Sequence, residues 1–323
     1  MELSPLRLSY SEKSSLGKIK KSPRWDDEDG VAATVGTIMS LLVFMTFMGI
    51  FLNQFVPVWM SDNESAHMSD AMEQFVNLKS QVDGLIADNA NSILASTPLF
   101  IPVTLSSPGI PVFAGPTAGI LGFVTETISA RPSFNVSYSG NTYSLGPTND
   151  GHTGGQLRLY CPNRYFVEQT LVYECGAIII NQTDGEMIKS GMQLSVSSFS
   201  GDSVLKLTQI SLVGTNKTVG GIGSKGVSAD LLYASSSEYR NSAGSPVTIT
   251  ILTNHGSAWE KHFNRTLSED SLIRNTDFTI TNTKYDFTGW ANDYYVVTVT
   301  ILNINVFYHT HATVQIGIDE LGV

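Results

Sequence analysis

The sequence predicts an α+β protein: a long N-terminal transmembrane and amphipathic helix followed by a mainly antiparallel all-β, sandwich-like outer domain. Three observations predict it. Val31 to Phe51 reads VAATVGTIMSLLVFMTFMGIF, with no charge and no proline; at 1.5 Å per residue such a helix is about 31 Å long, the thickness of a bilayer's hydrocarbon core. Beyond Ser61, apolar residues recur every three or four positions, the period of a helix with one apolar stripe. Beyond Pro98 the chain turns rich in Ser, Thr, Val, Ile, Tyr and Gly, with short runs of period two broken by turn residues, as in a sandwich or barrel.

Residues 1–30 form a leader. It carries Arg7, Lys13, Lys18, Lys20, Lys21 and Arg24, then the acidic run Asp26, Asp27, Glu28, Asp29, and ends at Gly30. After the apolar run the nearest basic residue is Lys79, among Asp62, Glu64, Asp70 and Glu73. Basic residues stay on the cytoplasmic side, so the expected topology is single-pass, with the N-terminus cytoplasmic and the C-terminal domain extracellular. The membrane helix occupies 31–60. It is too long for the apolar core of a secretory signal, and no small-residue cleavage site follows it. Ala32, Gly36 and Ser40 lie on one face at spacing four. Small residues so spaced let helix backbones approach in lipid; the pattern also arises by chance in such helices.

Residues 61–97 read as an amphipathic stalk helix. Pro57 is expected to kink or interrupt the helix, and Ser61 with Glu64 three residues on resembles a capping box that restarts it. Met68, Met72, Phe75, Val82, Leu85, Ile86 and Ile93 make its apolar stripe, with Lys79 and Asn89 in two seam positions. The stripe packs either on the outer domain or on the same helix of a neighbouring subunit. Pro98 ends it. The extracytoplasmic domain, 98–323, begins with a Pro/Gly-rich connector, SPGIPVFAGPTAG, inside a stretch with no charge between Asp88 and Glu126. Expected strands are Ile120–Ile128, Phe134–Tyr138, Gln156–Cys161, Val172–Ile180, Met192–Phe199, Val204–Leu212, Val247–Leu252, Tyr294–Phe307 and Thr310–Ile318, with a short helix over Ser257–Asn264.

The net charge of −10 and the lack of a basic patch outside the leader argue against a nucleic-acid partner. Cys161 and Cys175 are the only cysteines. Both fall on the expected outer side, where a disulfide persists, and closing that loop would contribute about 3 kcal/mol in the chain-entropy model; the alternative is two buried free thiols. N-x-S/T sequons at Asn63, Asn135, Asn181, Asn216 and Asn264 permit glycosylation without arguing for it.

Gly221-Ile-Gly223-Ser-Lys-Gly226 matches the dinucleotide pattern, which works only between a strand and a helix; here no helix is expected to follow, and a hairpin loop is the better reading. His309 and His311 alternate on one strand and share a face. Two imidazoles could hold a metal if His255 or His262 joined them, but solvent-facing histidines are the expectation. Glu168, Glu174 and Arg164, with Tyr160, Tyr165 and Tyr173, surround the cysteine segment, and surface salt bridges beside an aromatic strand account for them better than paired catalytic carboxylates. No hydrolase, zincin or P-loop motif occurs. No enzyme activity and no cofactor are expected.

Gly30 with the apolar run after it, the helix MSDAMEQFVNLKSQVDGLI (Met68–Ile86) and the segment NRYFVEQTLVYECGAIIINQTDGEMIKSG (Asn163–Gly191) together resemble archaeal type IV pilin-like proteins, the group that includes archaellins and adhesion pilins. The resemblance implies that a prepilin peptidase cuts between Gly30 and Val31, and that mature helices bundle in a filament core with β domains outside. Two positions depart from the pattern. Residues before Gly30 are acidic where Lys or Arg is usual, and Val35 stands where many pilins carry a glutamate. The expected function is a non-enzymatic, pilin-like cell-surface subunit whose partners are the lipid bilayer and copies of itself or other surface proteins. The alternative is a permanently membrane-anchored envelope protein whose β domain binds carbohydrate or a surface protein.

Overall fold

The structure, a computed structural model, describes residues 27–90, 97–125, 134–138, 141–145, 155–199, 201–285 and 294–319. The leader through Asp26, residues 91–96 near the end of the expected stalk helix and the strand end at Ile128 lie outside them. The chain divides into two units, 1–53 and 54–323.

In the first unit, α1 (Asp27–Ile50) carries the apolar run and leads into a π-helical turn, Phe51–Phe55. The second unit opens with α2 (Val56–Asn89). The expected interruption at Pro57 takes the form of the π-helical turn just before it, and Pro57 itself occupies the first turn of α2, where a proline is tolerated. The capping box is absent. Ser61 and Glu64 lie inside α2, and Glu64 is turned into the protein.

Among the described residues, fourteen strands form two sheets, the mainly antiparallel β part that the composition predicts. The first sheet holds β1 (Leu99–Thr104), β3 (Phe134–Tyr138), β4 (Asn141–Leu145), β9 (Leu194–Phe199), β10 (Asp202–Gly214), β12 (Ser224–Thr253), β13 (Phe278–Tyr285) and β14 (Tyr294–Asp319). Its main order is β4-β3-β12-β14-β10-β9, with β1 beside β12 and β13 beside β14. β10 and β14 run parallel, and its other pairs are antiparallel. The second sheet, wholly antiparallel, has order β11-β2-β5-β6-β7-β8, with β2 (Gly119–Thr125), β5 (Gly155–Cys161), β6 (Gln169–Glu174), β7 (Ala177–Gln182), β8 (Gly185–Ser190) and β11 (Lys217–Gly221).

Several expected strand limits move for local reasons. Val172–Ile180 is two strands. Cys175 and Gly176 both take positive φ, 48° and 77°, the backbone of the two-residue turn that suits a hairpin's twist. Conversely, Tyr294–Phe307 and Thr310–Ile318 are one strand, β14, and Val247–Leu252 is the end of the 30-residue β12. The β12–β14 ladder is bent by register shifts between Arg240 and Val247. Gly244 sits there with φ 72°, a bulge rather than a strand end.

Among the described residues the buried apolar side chains form two cores. One joins the two sheets and α2, through Phe75, Leu78, Val82, Leu121, Phe123, Leu159 and Val314. The stalk stripe therefore packs on its own domain. The other core centres on α3 (Gly256–Glu269), whose Trp259, Phe263 and Leu267 bury against Val172, Ile179, Phe278 and Val299.

The expected disulfide does not form: Cys161 and Cys175 are free and buried. The hairpin sets Cys161 opposite Gln169 at one end of β6, and Cys175 lies beyond the other end. Six residues of strand separate those levels, about 20 Å at 3.3 Å per residue, whereas a disulfide needs Cα atoms within roughly 7 Å. The two thiols belong to different cores.

Candidate functional site: an apolar helix and the clasp at the start of α2

α1 is the one helix among the described residues that is long and apolar enough to cross a membrane, by length and composition. None of its most apolar window is buried within the protein; Ile38, Met39, Leu42, Val43 and Phe47 are each about three-fifths exposed. Its threonine hydroxyls are satisfied internally: Thr34 Oγ1 donates to the Val31 carbonyl (2.9 Å), Thr37 to Thr34 (2.8 Å) and Thr46 to Leu42 (2.8 Å). These bonds suit a helix in hydrocarbon, where a polar group without a partner is costly. Gly30, Val31, Ala32, Gly36 and Ser40 all lie on α1 and are exposed. A Cβ added at Gly36 would meet nothing within 4 Å, so that face is open to a neighbouring helix. Asp27–Gly30 are themselves helical, which places the expected cut inside α1.

Near the start of α2, the Glu64 carboxylate is fully buried. Oε1 accepts from Thr117 Oγ1 (2.8 Å) and the Arg164 N–H (3.1 Å); Oε2 accepts from the N–H groups of Tyr165 and Phe166 (both 2.8 Å). Burial raises its pKa, but the backbone donors and the Thr117 hydroxyl outweigh burial, and the net shift is downward. One residue earlier, Asn63 Nδ2 donates to the Pro108 carbonyl (3.2 Å). Two loops, 108–116 and 162–168, are thus clasped to the first turns of α2.

Loop 108–116 closes through the Ser107–Thr117 and Ile110–Ala114 bridges. Its tip is Ile110-Pro-Val-Phe113. Val112 is fully exposed with φ 73°. A β-branched residue in that region is a conformational outlier that costs about 1–3 kcal/mol. Loop 162–168 exposes Arg164, Tyr165 and Val167.

The expected chemistry of the β domain looks different in place. Glu174 is buried, not part of a surface salt bridge; its Oε1 accepts from Trp259 Nε1 (2.8 Å) and Thr253 Oγ1 (2.5 Å). Glu168 accepts from Tyr160 (2.5 Å) at the surface. His255 Nδ1 meets Glu186 Oε2 at 2.9 Å, and Glu186 Oε1 accepts the Ala258 N–H (3.0 Å). Burial pulls the His255 pKa down, but the Glu186 hydrogen bond and the Glu174 and Glu186 charges carry it above its ordinary value. These groups tie α3 to the second sheet. His309 does not face solvent. It is buried, and its Nε2 donates to Gln209 Oε1 (2.7 Å) while its ring stacks between Phe307 and His311. Burial, with His311 nearby, lowers its pKa to about 4. No three His, Cys, Asp or Glu side chains converge as metal ligands among the described residues. Burial pushes the Cys161 thiol up to about 12 and Cys175 well above its usual value. Gly221–Gly226 links β11 to β12 across the two sheets, neither a hairpin nor a helix entry.

No family model, no curated protein and no solved structure matches this chain. Sequence reasoning missed the clasp. A signal was present, because Glu64 falls four residues from both Met60 and Met68 on the buried stripe, and an acid in that position implies buried donors.

Proposed function

We propose that this chain is a non-enzymatic, pilin-like cell-surface subunit, held in the membrane by α1, with a cytoplasmic N-terminus and the β domain outside. The observation that carries the reading is α1 itself: an apolar, exposed helix with internally satisfied threonine hydroxyls, attached to a domain whose buried acids serve packing. In this account the face of Ala32, Gly36 and Ser40 packs against copies of the same helix once Gly30–Val31 has been cut. Gly36→Leu tests it. The variant should still insert but lose assembly by electron microscopy of surface filaments; normal filaments from Gly36→Leu would reject the packing face.

A second reading is supported by one observation. Asp27–Gly30 continue the helix across the expected cut, and proteases act on extended, accessible segments. A permanently anchored envelope protein, with a β domain that binds carbohydrate or a surface protein, would keep that acidic segment. Retention of the leader in the surface-exposed population would favour it.

A further inference from the structure

We propose that loops 108–116 and 162–168 seat the β domain on the surface of the bilayer that holds α1, with the apolar tip Ile110–Phe113 entering the interfacial layer. The proposal rests on the membrane-anchor part of the reading above and not on filament assembly. Four observations converge on it. α2 begins with Val56–Met60, which carries no charge and exposes Val58 and Trp59; Trp and Tyr favour the level of the headgroups. Trp59 and Asn63 are one turn apart on one face of α2, and Asn63 holds loop 108–116 through the Pro108 carbonyl. The Glu64 carboxylate holds both loops at that same level. The tip is wholly apolar, within a segment that has no charge from Asn89 to Thr125, and Val112 is kept fully exposed at a positive φ that glycine or asparagine would adopt more easily.

The occupant follows from chemistry. An apolar tip flanked by Tyr165, with Arg164 and Asp62 as exposed charges of opposite sign nearby, suits a layer that is apolar below and hydrated above. With Glu168 also exposed on the second loop, one cation stands against two anions and no net positive charge draws this surface to anionic headgroups, so lowering the salt should not strengthen the seating. A second copy of the chain is the rival occupant.

The test uses the full chain, one per nanodisc, in phosphatidylcholine with phosphatidylglycerol. An environment-sensitive fluorophore is placed at Val112→Cys, and separately at Tyr165→Cys, Met39→Cys and Ile273→Cys. The native thiols are buried, so the new cysteine takes the label. Lipids spin-labelled at shallow depth should quench positions 112 and 165 by about half or more and leave 273 bright, while deep labels quench 39. Val112→Asp with Phe113→Asp should return position 165 to water. Deep quenching at 39 with positions 112 and 165 as bright as 273 overturns the seating alone. Absence of quenching at 39 overturns the anchor and the seating with it. Shielding of 112 that appears only with several chains per disc, without lipid quenching, assigns the surface to a second copy and overturns the proposal.

Discussion

Replacing Glu64 by Gln tests the clasp with almost no change of shape. The carboxylate receives four donors, two at each oxygen. An amide keeps one oxygen and turns an NH2 toward the other pair of donors. If its oxygen stays with Thr117 and Arg164, the N–H groups of Tyr165 and Phe166 are left facing a donor. Each buried polar group without a partner costs about 1–3 kcal/mol. Loop 162–168 is at the surface and recovers part of the loss through water, so about 3 kcal/mol is expected in all. At 1.4 kcal/mol per decade, the amides of residues 164–166 should exchange about a hundredfold faster in hydrogen–deuterium exchange. The pH dependence has a definite sign. The folded-state pKa lies below the ordinary 4.5, so the stabilisation is complete above 4.5 and is lost as pH falls through the lower folded value. In Glu64→Gln that acid-side loss should disappear. Unchanged exchange at Tyr165 and Phe166, or the same acid dependence in wild type and variant, would refute the clasp.

Trp259→Phe removes the indole donor to Glu174 (2.8 Å) from a fully buried ring; a loss of about 2–4 kcal/mol in urea unfolding is expected, and a loss under 1 kcal/mol would contradict the packing of α3. The His255–Glu186 pair stabilises in a window. The raised His255 pKa contributes fully below 6.5 and is lost as pH rises through the folded value. The lowered Glu186 pKa contributes above 4.5 and is lost as pH falls. A His255→Gln variant should therefore lose most stability, relative to wild type, between those limits, as read from thermal midpoints across pH. Cys161 and Cys175 should resist alkylation in the native protein, and intact mass should show both thiols free after denaturation without reductant; a mass lighter by two hydrogen atoms would mean a disulfide and a different register for β5 and β6.

The sequence carries the class of the fold openly because class depends on period. The apolar run fixes α1 by length, the three-to-four repeat fixes the buried face of α2, and alternation marks the strands. It hides what depends on partners distant in the chain. Nothing local reveals that β10 runs parallel to β14, or that the first sheet takes β1 from one end of the chain segment and β13 from the other. Strand limits fail where a single residue decides. Cys175-Gly176 breaks a β-branched run because both residues take positive φ, and Gly244 bends β12 without ending it. The disulfide expectation fails for a related reason: spacing in sequence says nothing about which end of a hairpin each cysteine reaches. The clasp was partly legible, since Glu64 lies on the apolar stripe. Its donors were not, because backbone N–H groups leave no mark in a sequence. Buried His309 has the same character. It was expected to face solvent, and only the position of Gln209 shows what satisfies it in the core.

The N-terminal residue and intact mass of the protein taken from its native membranes test the central claim most directly. The account of a processed, assembling surface subunit predicts a chain that begins at Val31. A chain that begins at Met1 or Glu2 and keeps its acidic segment would contradict it and leave a permanently anchored protein, whose function would then lie in what the β domain binds.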